Sequence, residues 1–246
     1  MRSYLFVPGH NERLLASAKK SDADCLILDL EDSVPEGYKD KARELIREFT
    51  CDKPVYVRVN AGFDLAYVND SHGIMIPRAT AKEVKKYSYS GLDLIPLIET
   101  TRGVFEAYKI CRMDGLVSVA FGGEDFKADL QGTDIHTARS MVVMAARAAG
   151  IEPIDTAYID IHNDDGFNQH VATSKSMGYR SMLCLHPKQI PVIHEYFTPS
   201  AEEIAHAKET IRLSEQSAKE GRGIAIIDGQ FVGPPMVRMA KKILKI

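Results

Sequence analysis

The sequence predicts an α/β fold, a TIM (β/α)8 barrel followed by a C-terminal helical extension. Three observations point there. Short apolar runs of strand length recur eight times within residues 1–187. Most are apolar throughout, as parallel strands buried on both faces are. Helical segments fill most of the intervals, and polar residues gather just after the runs.

The runs are Tyr4–Val7, Cys25–Leu30, Val55–Val59, Gly73–Ile76, Leu94–Ile98, Leu116–Phe121, Thr156–Ile161 and Met182–Leu185. An open doubly wound sheet is the rival arrangement. It usually has fewer strands, and no GxGxxG follows the first run. After that run, Asn11–Lys20 places Leu14, Leu15 and Ala18 on one helical face. Lys39–Phe49 does the same with Ala42, Leu45, Ile46 and Phe49. The Ser33–Glu36 spacing resembles a capping box, with Pro35 at an early helical position. The link from Asn60 to Gly73 leaves little room for a helix, and Ala81–Tyr89 is a short one. Asp134–Ala149 is Ala-rich and stops at Gly150; Asp164–Met177 stops at Gly178. Ser200–Glu203 is a second capping box and opens a helix to about Lys219. The expected organisation is a barrel domain over 1–198 and a helical extension over 199–246. The extension includes a loop, Gly221–Pro235, that caps the barrel or reaches a neighbouring subunit.

Composition excludes several classes of function. The chain has 246 residues, 45% hydrophobic and 26% charged, which is ordinary for a globular protein and unlike a disordered one. Lys plus Arg number 31 against 34 acidic residues, for a net charge of −3 with no basic stripe, so nucleic acid is not an expected partner. No apolar run approaches the ~20 residues of a membrane span, and the apolar core near the N-terminus is too short for a secretory signal. The four cysteines show no CxxC spacing, and Cys25 and Cys184 sit in apolar runs as reduced core thiols do. A cytoplasmic location is expected.

In a barrel the active-site groups come from the C-terminal strand ends and the loops after them. Here those ends carry Gly9-His10, Asp29 to Asp32, Arg58 to Asn60, Arg78, Glu99 to Thr101, Gly122 to Asp125, Asp160 and His186. Acidic groups crowd three of them: Asp29, Glu31 and Asp32, then Glu99, then Asp125. Such carboxylates repel unless a cation sits among them. A hard divalent ion such as Mg2+ takes oxygen ligands, including one or two protein carboxylates. Glu99 and Asp125 are the candidate ligands, the alternative being pairing to Arg102 or Lys127. Arg58 suits a substrate carboxylate or a developing enolate oxygen, or forms a structural pair with Asp29 or Glu31. Glu31 and Asp32 orient Arg58, bind metal-bound water, or cap the next helix with Ser33. Gly122-Gly123 leaves backbone N–H groups open to an anion. His10 serves as an acid or as part of a helix cap, and His186 as a turn residue. Arg2 touches ligand phosphates or is solvated. Asp160 and His162 line the mouth or bind nothing.

These residues together resemble the citrate lyase beta subunit family, with its malyl-CoA and citramalyl-CoA lyase relatives, within the HpcH/HpaI aldolase superfamily. The resemblance rests on RSYLFVPG at 2–9, LDLEDSV at 28–34, VRVN at 57–60, PLIETTRG at 96–103, FGGEDF at 121–126 and CLHPKQI at 184–190. It implies a trimeric or hexameric TIM barrel that binds Mg2+ through Glu99 and Asp125. Arg58 matches the family's substrate-binding arginine, with Asp29 and Glu31 beside it in the catalytic set. Glu99, Gly123 and Glu124 also contact the substrate. The implied reaction makes or breaks a carbon–carbon bond between a small 2-keto acid (pyruvate, glyoxylate or oxaloacetate) and an acyl partner on CoA or a carrier. The sequence departs from the family at three positions. Gly233 stands where a C-terminal aspartate is the acid/base at the thioester carbon. Met182 replaces a lysine before the eighth-strand His-Pro, and Arg78 replaces a lysine after the fourth strand. The alternative is a subunit that keeps the metal and keto-acid pocket without turnover.

Overall fold

The computed structural model describes residues 1–68, 71–221, 223–227 and 229–245. They form two compact units, Met1–Phe197 and Thr198–Ile246. The first is a closed barrel in which eight strands pair in chain order. They are β1 (Ser3–Pro8), β2 (Cys25–Asp29), β3 (Val55–Arg58), β4 (Gly73–Ile76), β5 (Asp93–Ile98), β6 (Ser118–Phe121), β7 (Glu152–Asp155) and β8 (Ser181–Cys184). All pairings are parallel, and β8 closes onto β1 through Ser3–Met182 and Leu5–Cys184. The surrounding helices are α1 (Glu12–Lys19), α2 (Lys39–Arg47), α3 (Ala81–Tyr87), α4 (Thr101–Cys111), α5 (Gly123–Leu130), α6 (His136–Ala149), α7 (Asp164–Met177) and α8 (Ile190–Phe197).

Side chains alternate across each strand, and this splits the core in two. Tyr4, Cys25, Ile27, Tyr56, Met75 and Ile95 fill the barrel interior. Their neighbours Leu5, Leu26, Leu28, Val57, Ile74 and Leu94 pack outward against the helices. The same alternation continues upward. It turns Asp29, two residues after Ile27, and Arg58, two after Tyr56, into the mouth. Glu99, two after Leu97, follows the same rule.

The helix ends follow the expected chemistry. Asn11 caps α1 by accepting from the Leu14 N–H. Gly150 and Gly178 end α6 and α7 in the left-handed conformation, at φ 79° and 106°. The second unit holds α9 (Ala201–Lys219), the hairpin β9 (Ala225–Ile227) and β10 (Gln230–Val232), and α10 (Pro234–Leu244). Ser200 and Glu203 form the predicted capping box at α9. No helix of the described residues is long and apolar enough to cross a membrane.

Two expectations need correction, and a third, the short link before β4, holds. The seventh strand is Glu152–Asp155, and Thr156–Ile161 is the loop after it. Pro153 reads against a strand because it cannot donate to a ladder. It nevertheless pairs with Val119 in β6. Ser33 does not open a capping box: a single 3-10 turn, Glu36–Tyr38, precedes α2, and the Ser33 hydroxyl donates to Asp29 Oδ2 at 2.5 Å. The short Asn60–Gly73 link carries only a 3-10 turn, Gly62–Tyr67. Asp64 pins it, accepting from the Asn60 and Ala61 N–H groups and from Arg43 Nε at 2.8 Å. Asn69 and Asp70 of that link lie outside the described residues.

A buried ionic network ties β7 to the helices. Asp155 accepts from Arg139 of α6 and Ser174 of α7, and from the Thr156 N–H at 2.8 Å. Asp155→Ala strands a buried guanidinium, and we expect a loss of about 3–5 kcal/mol. Urea unfolding should show a lower midpoint at unchanged slope.

Candidate active site

The mouth is organised around Arg58. Asp29 grips it with both oxygens: Nε donates to Oδ1 at 2.6 Å and Nη2 to Oδ2 at 2.7 Å. Asp29 is 1% exposed and also accepts from the Glu31 and Ser33 N–H groups, each at 3.0 Å. Burial pushes its carboxyl up, but the hydrogen bonds and charge of Arg58, then Ser33, outweigh burial and hold it below the usual range. Phe6 of β1 lies under the guanidinium at 5.0 Å. Arg58 Nη1, the nitrogen not locked by Asp29, faces Glu31 Oε2 at 3.0 Å and Asp32 Oδ2 at 3.4 Å. Arg58 therefore pairs with Asp29 and Glu31 as one sequence reading had it. Asp29 is fully engaged by this framework and fixes the Arg58 side chain.

Glu31 and Glu99 are held differently. The Glu31–Arg58 contact lacks hydrogen-bond geometry, and Glu31 Oε2 is buried with no hydrogen-bond partner. Burial, with Asp32 and Asp29 adding repulsion against the pull of Arg58, pushes the Glu31 carboxyl up to about 7. Glu99 is 2% exposed, and its Oε1 accepts the Arg78 N–H at 2.6 Å. Its Oε2 lies over Gly122: a Cβ there would come within 2.6 Å of that oxygen, so only glycine allows the approach. Burial first, then the charges of Asp125 and Glu31, push Glu99 up to about 8. The Asp125 carboxylate sits in the first turn of α5, half-buried, with no hydrogen bond or ion pair among the described residues. The alternative pairings are absent, since Arg102 bonds Glu106 and Lys127 bonds Glu124.

Other expected residues are placed otherwise. The Gly123 N–H is not open to an anion: it donates to Thr156 Oγ1 at 2.8 Å. That leaves the Glu124 and Asp125 amides as the first-turn donors without helical partners. The Glu124 side chain is exposed and paired to Lys127. Arg2 lies at the opposite end of β1 from the mouth, clamped to Asp24 at 2.9 Å. His10 does not cap α1; its ring packs on Tyr38 at 5.4 Å, and its Nδ1 is buried without a partner. His186 accepts from the Lys188 N–H, the turn role expected of it. Asp160 accepts from the His162 N–H within the loop after β7. Sequence reasoning missed Thr156, and it missed Lys39, whose Nζ donates to the Leu30 and Glu31 carbonyls at 2.7 and 2.6 Å. Nothing local marks Lys39. Thr156 was hidden by the misplaced strand.

The raised Glu99 has a stability signature. Its folded value, about 8, lies above its ordinary 4.5, so the folded chain holds a proton the unfolded chain releases. That contribution is complete below about 4.5 and is lost as pH rises through about 8. With a chelator present, urea unfolding of the native chain should weaken between these pH values more than Glu99→Gln does. Parallel pH curves for the two proteins would contradict the assignment.

Comparison with known proteins places this geometry. The family described as HpcH/HpaI aldolase/citrate lyase matches residues 2–187. Citrate lyase subunit beta of Escherichia coli (strain K12) is 31% identical, across 99% of this chain and 92% of that protein. Mitochondrial citramalyl-CoA lyase of Rattus norvegicus is 30% identical, across 100% of this chain and 85% of that protein. The crystal structure of CitE from Mycobacterium tuberculosis in complex with magnesium, acetoacetate and coenzyme A gives a TM-score of 0.87 at 30% identity, covering 99% of this chain and 97% of that one. The citrate lyase beta subunit from M. tuberculosis complexed with oxaloacetate and magnesium gives 0.74 at 31% identity, covering 80% of this chain and 96% of that one.

Proposed function

The chain belongs to the HpcH/HpaI aldolase/citrate lyase family, and on that premise we propose that it is a Mg2+-dependent carbon–carbon lyase. Its substrates are a small 2-keto acid (pyruvate, glyoxylate or oxaloacetate) and an acyl partner on CoA or a carrier. One observation carries this reading: Glu99 follows β5 and Asp125 follows the neighbouring β6 in the first turn of α5, the Asp125 charge pushes the Glu99 carboxyl up, and among the described residues no cationic side chain bonds either.

The donor set fits the ion. Among the described residues no three His, Cys, Asp or Glu side chains converge as a cage. Two carboxylates completed by substrate and water is the arrangement Mg2+ commonly takes. Glu99 Oε2 and the Asp125 carboxylate would hold it. When bound, Mg2+ supplies Lewis-acid polarisation and a template for a 2-keto acid.

The remaining chemistry falls to the chain. In the cleavage direction the substrate hydroxyl loses its proton and the carbon–carbon bond breaks. Its electron pair passes to the α-carbon of the acyl fragment, which takes up a proton. Arg58, fixed by Asp29, stabilises the oxygen that gains charge. Glu31, half-buried beside Arg58 with a value of about 7, takes or returns a proton at Oε2. The first-turn amides of α5 face the substrate carboxylate. A homo-oligomer, trimeric or hexameric, in the cytoplasm completes the reading; the free buried thiols Cys25, Cys111 and Cys184 support a reducing compartment.

A second reading has its own observation. Gly233 is extended, at φ −108°, and among the described residues a Cβ there would meet only Pro235 Cδ at 3.7 Å. The backbone does not require glycine, so the missing carboxylate is a chemical difference and favours a subunit without thioester turnover. Asp228, nearby in sequence, lies outside the described residues.

Turnover with Mg2+, each keto acid, and acetyl-CoA present or absent tests both. Product is expected, with loss of Mg2+ binding and turnover in Glu99→Ala and Asp125→Ala. Arg58→Lys should lower kcat by roughly 10²–10³-fold. Calorimetric binding of Mg2+ and pyruvate without product would instead support the subunit. Thioester turnover gained on Gly233→Asp would identify the missing group.

A further inference from the structure

Arg58 has little left to offer a second anion. Asp29 occupies two of its nitrogens, and the third already faces Glu31 and Asp32. Another guanidinium stands at the same mouth. Arg78 follows β4 after Pro77, at the C-terminal strand end, and its backbone is left-handed with φ 45°. A non-glycine residue is uncommon there outside helix ends such as Gln131.

Here the surroundings impose that conformation. The Arg78 N–H donates to Glu99 Oε1 at 2.6 Å, and the next N–H, of Ala79, donates to Leu97 O at 2.9 Å. The Ala79 carbonyl lies against Gly103 of α4, where a Cβ would come within 2.7 Å. The turn is fixed from three sides, so the chain sets the origin of the Arg78 side chain as firmly as it sets Glu99. Yet that side chain is exposed and has no hydrogen bond or ion pair among the described residues. Its backbone, bonded to Glu99 Oε1, roots the guanidinium at the rim of the acidic cluster, and its positive charge favours the ionised Glu31 carboxyl. An exposed arginine on a freely placed loop would need no account. One rooted in a strained, triply pinned residue beside a candidate metal ligand does.

We propose that Arg78 is a specificity-determining residue that receives a second oxyanion of the substrate, a group separate from the keto-acid oxygens. The inference rests on the reading of the mouth as a keto-acid site. Two sources share the chemistry: the distal carboxylate of a dicarboxylic keto acid, and a phosphate of the acyl carrier. The guanidinium matches either in a bidentate manner.

Two substitutions separate side chain from backbone. Arg78→Gly removes the guanidinium, keeps the N–H that holds Glu99, and suits a positive φ. Arg78→Lys keeps the charge without the fork. Calorimetric titrations of the Mg2+-loaded proteins with oxaloacetate, pyruvate and CoA read the effect. Arg78→Gly should weaken oxaloacetate or CoA by about tenfold, the size of one hydrogen bond to a charged group, while pyruvate changes by less than about twofold. Arg78→Lys should recover part of the loss. A loss confined to oxaloacetate assigns the distal carboxylate, and one confined to CoA assigns the phosphate. Unchanged affinity for both overturns the inference, as does an equal loss for pyruvate, which would mean that the substitution acts through Glu99. Native protein that binds none of the three overturns the site reading and the inference together; native binding left intact by Arg78→Gly overturns the inference alone.

Discussion

A guanidinium taken out of water at the end of a barrel needs an acceptor that matches its fork, and Asp29 supplies it. The pair forms because β2 and β3 are neighbours and both side chains turn inward at the top of the same register, Asp29 opposite Arg58. Burial of such a pair is weak evidence for stability, since desolvation of both charges opposes the attraction. Its value is geometric. Asp29 also accepts from the Glu31 and Ser33 backbones, so the turn after β2 is wound around the carboxylate. Lys39 holds the Leu30 and Glu31 carbonyls from the other side. The position of Glu31 is a consequence of these contacts.

The carboxylates of the mouth do not share one electrostatic fate. Asp29 is held ionised by direct hydrogen bonds from Arg58. Glu31 and Glu99 have burial and like charge working against ionisation, and a single N–H to Glu99 Oε1 does not reverse it. Environments that push neighbouring acids apart divide their tasks. One carboxylate fixes the arginine, and burial draws the other two toward their neutral forms. Gly122 contributes by being small enough to let Glu99 come over the start of α5.

Much of this was legible in the sequence, and the physical reasons for success and failure are specific. Period-two alternation from Ile27 to Asp29, Tyr56 to Arg58 and Leu97 to Glu99 carries the inward direction of three site residues in the letters themselves. The helix stops at Gly150 and Gly178 were readable because left-handed backbone selects glycine. β7 was not readable: four residues containing a proline carry less apolar signal than the loop after them. Ser33 and Gly123 failed for a common reason. Each has a plausible local partner, but a tertiary one won, Asp29 for the serine and Thr156 for the glycine amide. Lys39 and the Arg78 backbone act across the fold, where no spacing rule reaches.

The central claim is that Glu99 and Asp125 share one divalent cation beside Arg58. Anomalous diffraction from a crystal soaked with Mn2+, a carboxylate-binding stand-in for Mg2+, and oxaloacetate tests it directly. The account predicts one strong peak within roughly 2.0–2.3 Å of an oxygen from each carboxylate, with the keto acid completing the shell. A peak bound by neither, or oxaloacetate seated away from Arg58, would contradict it.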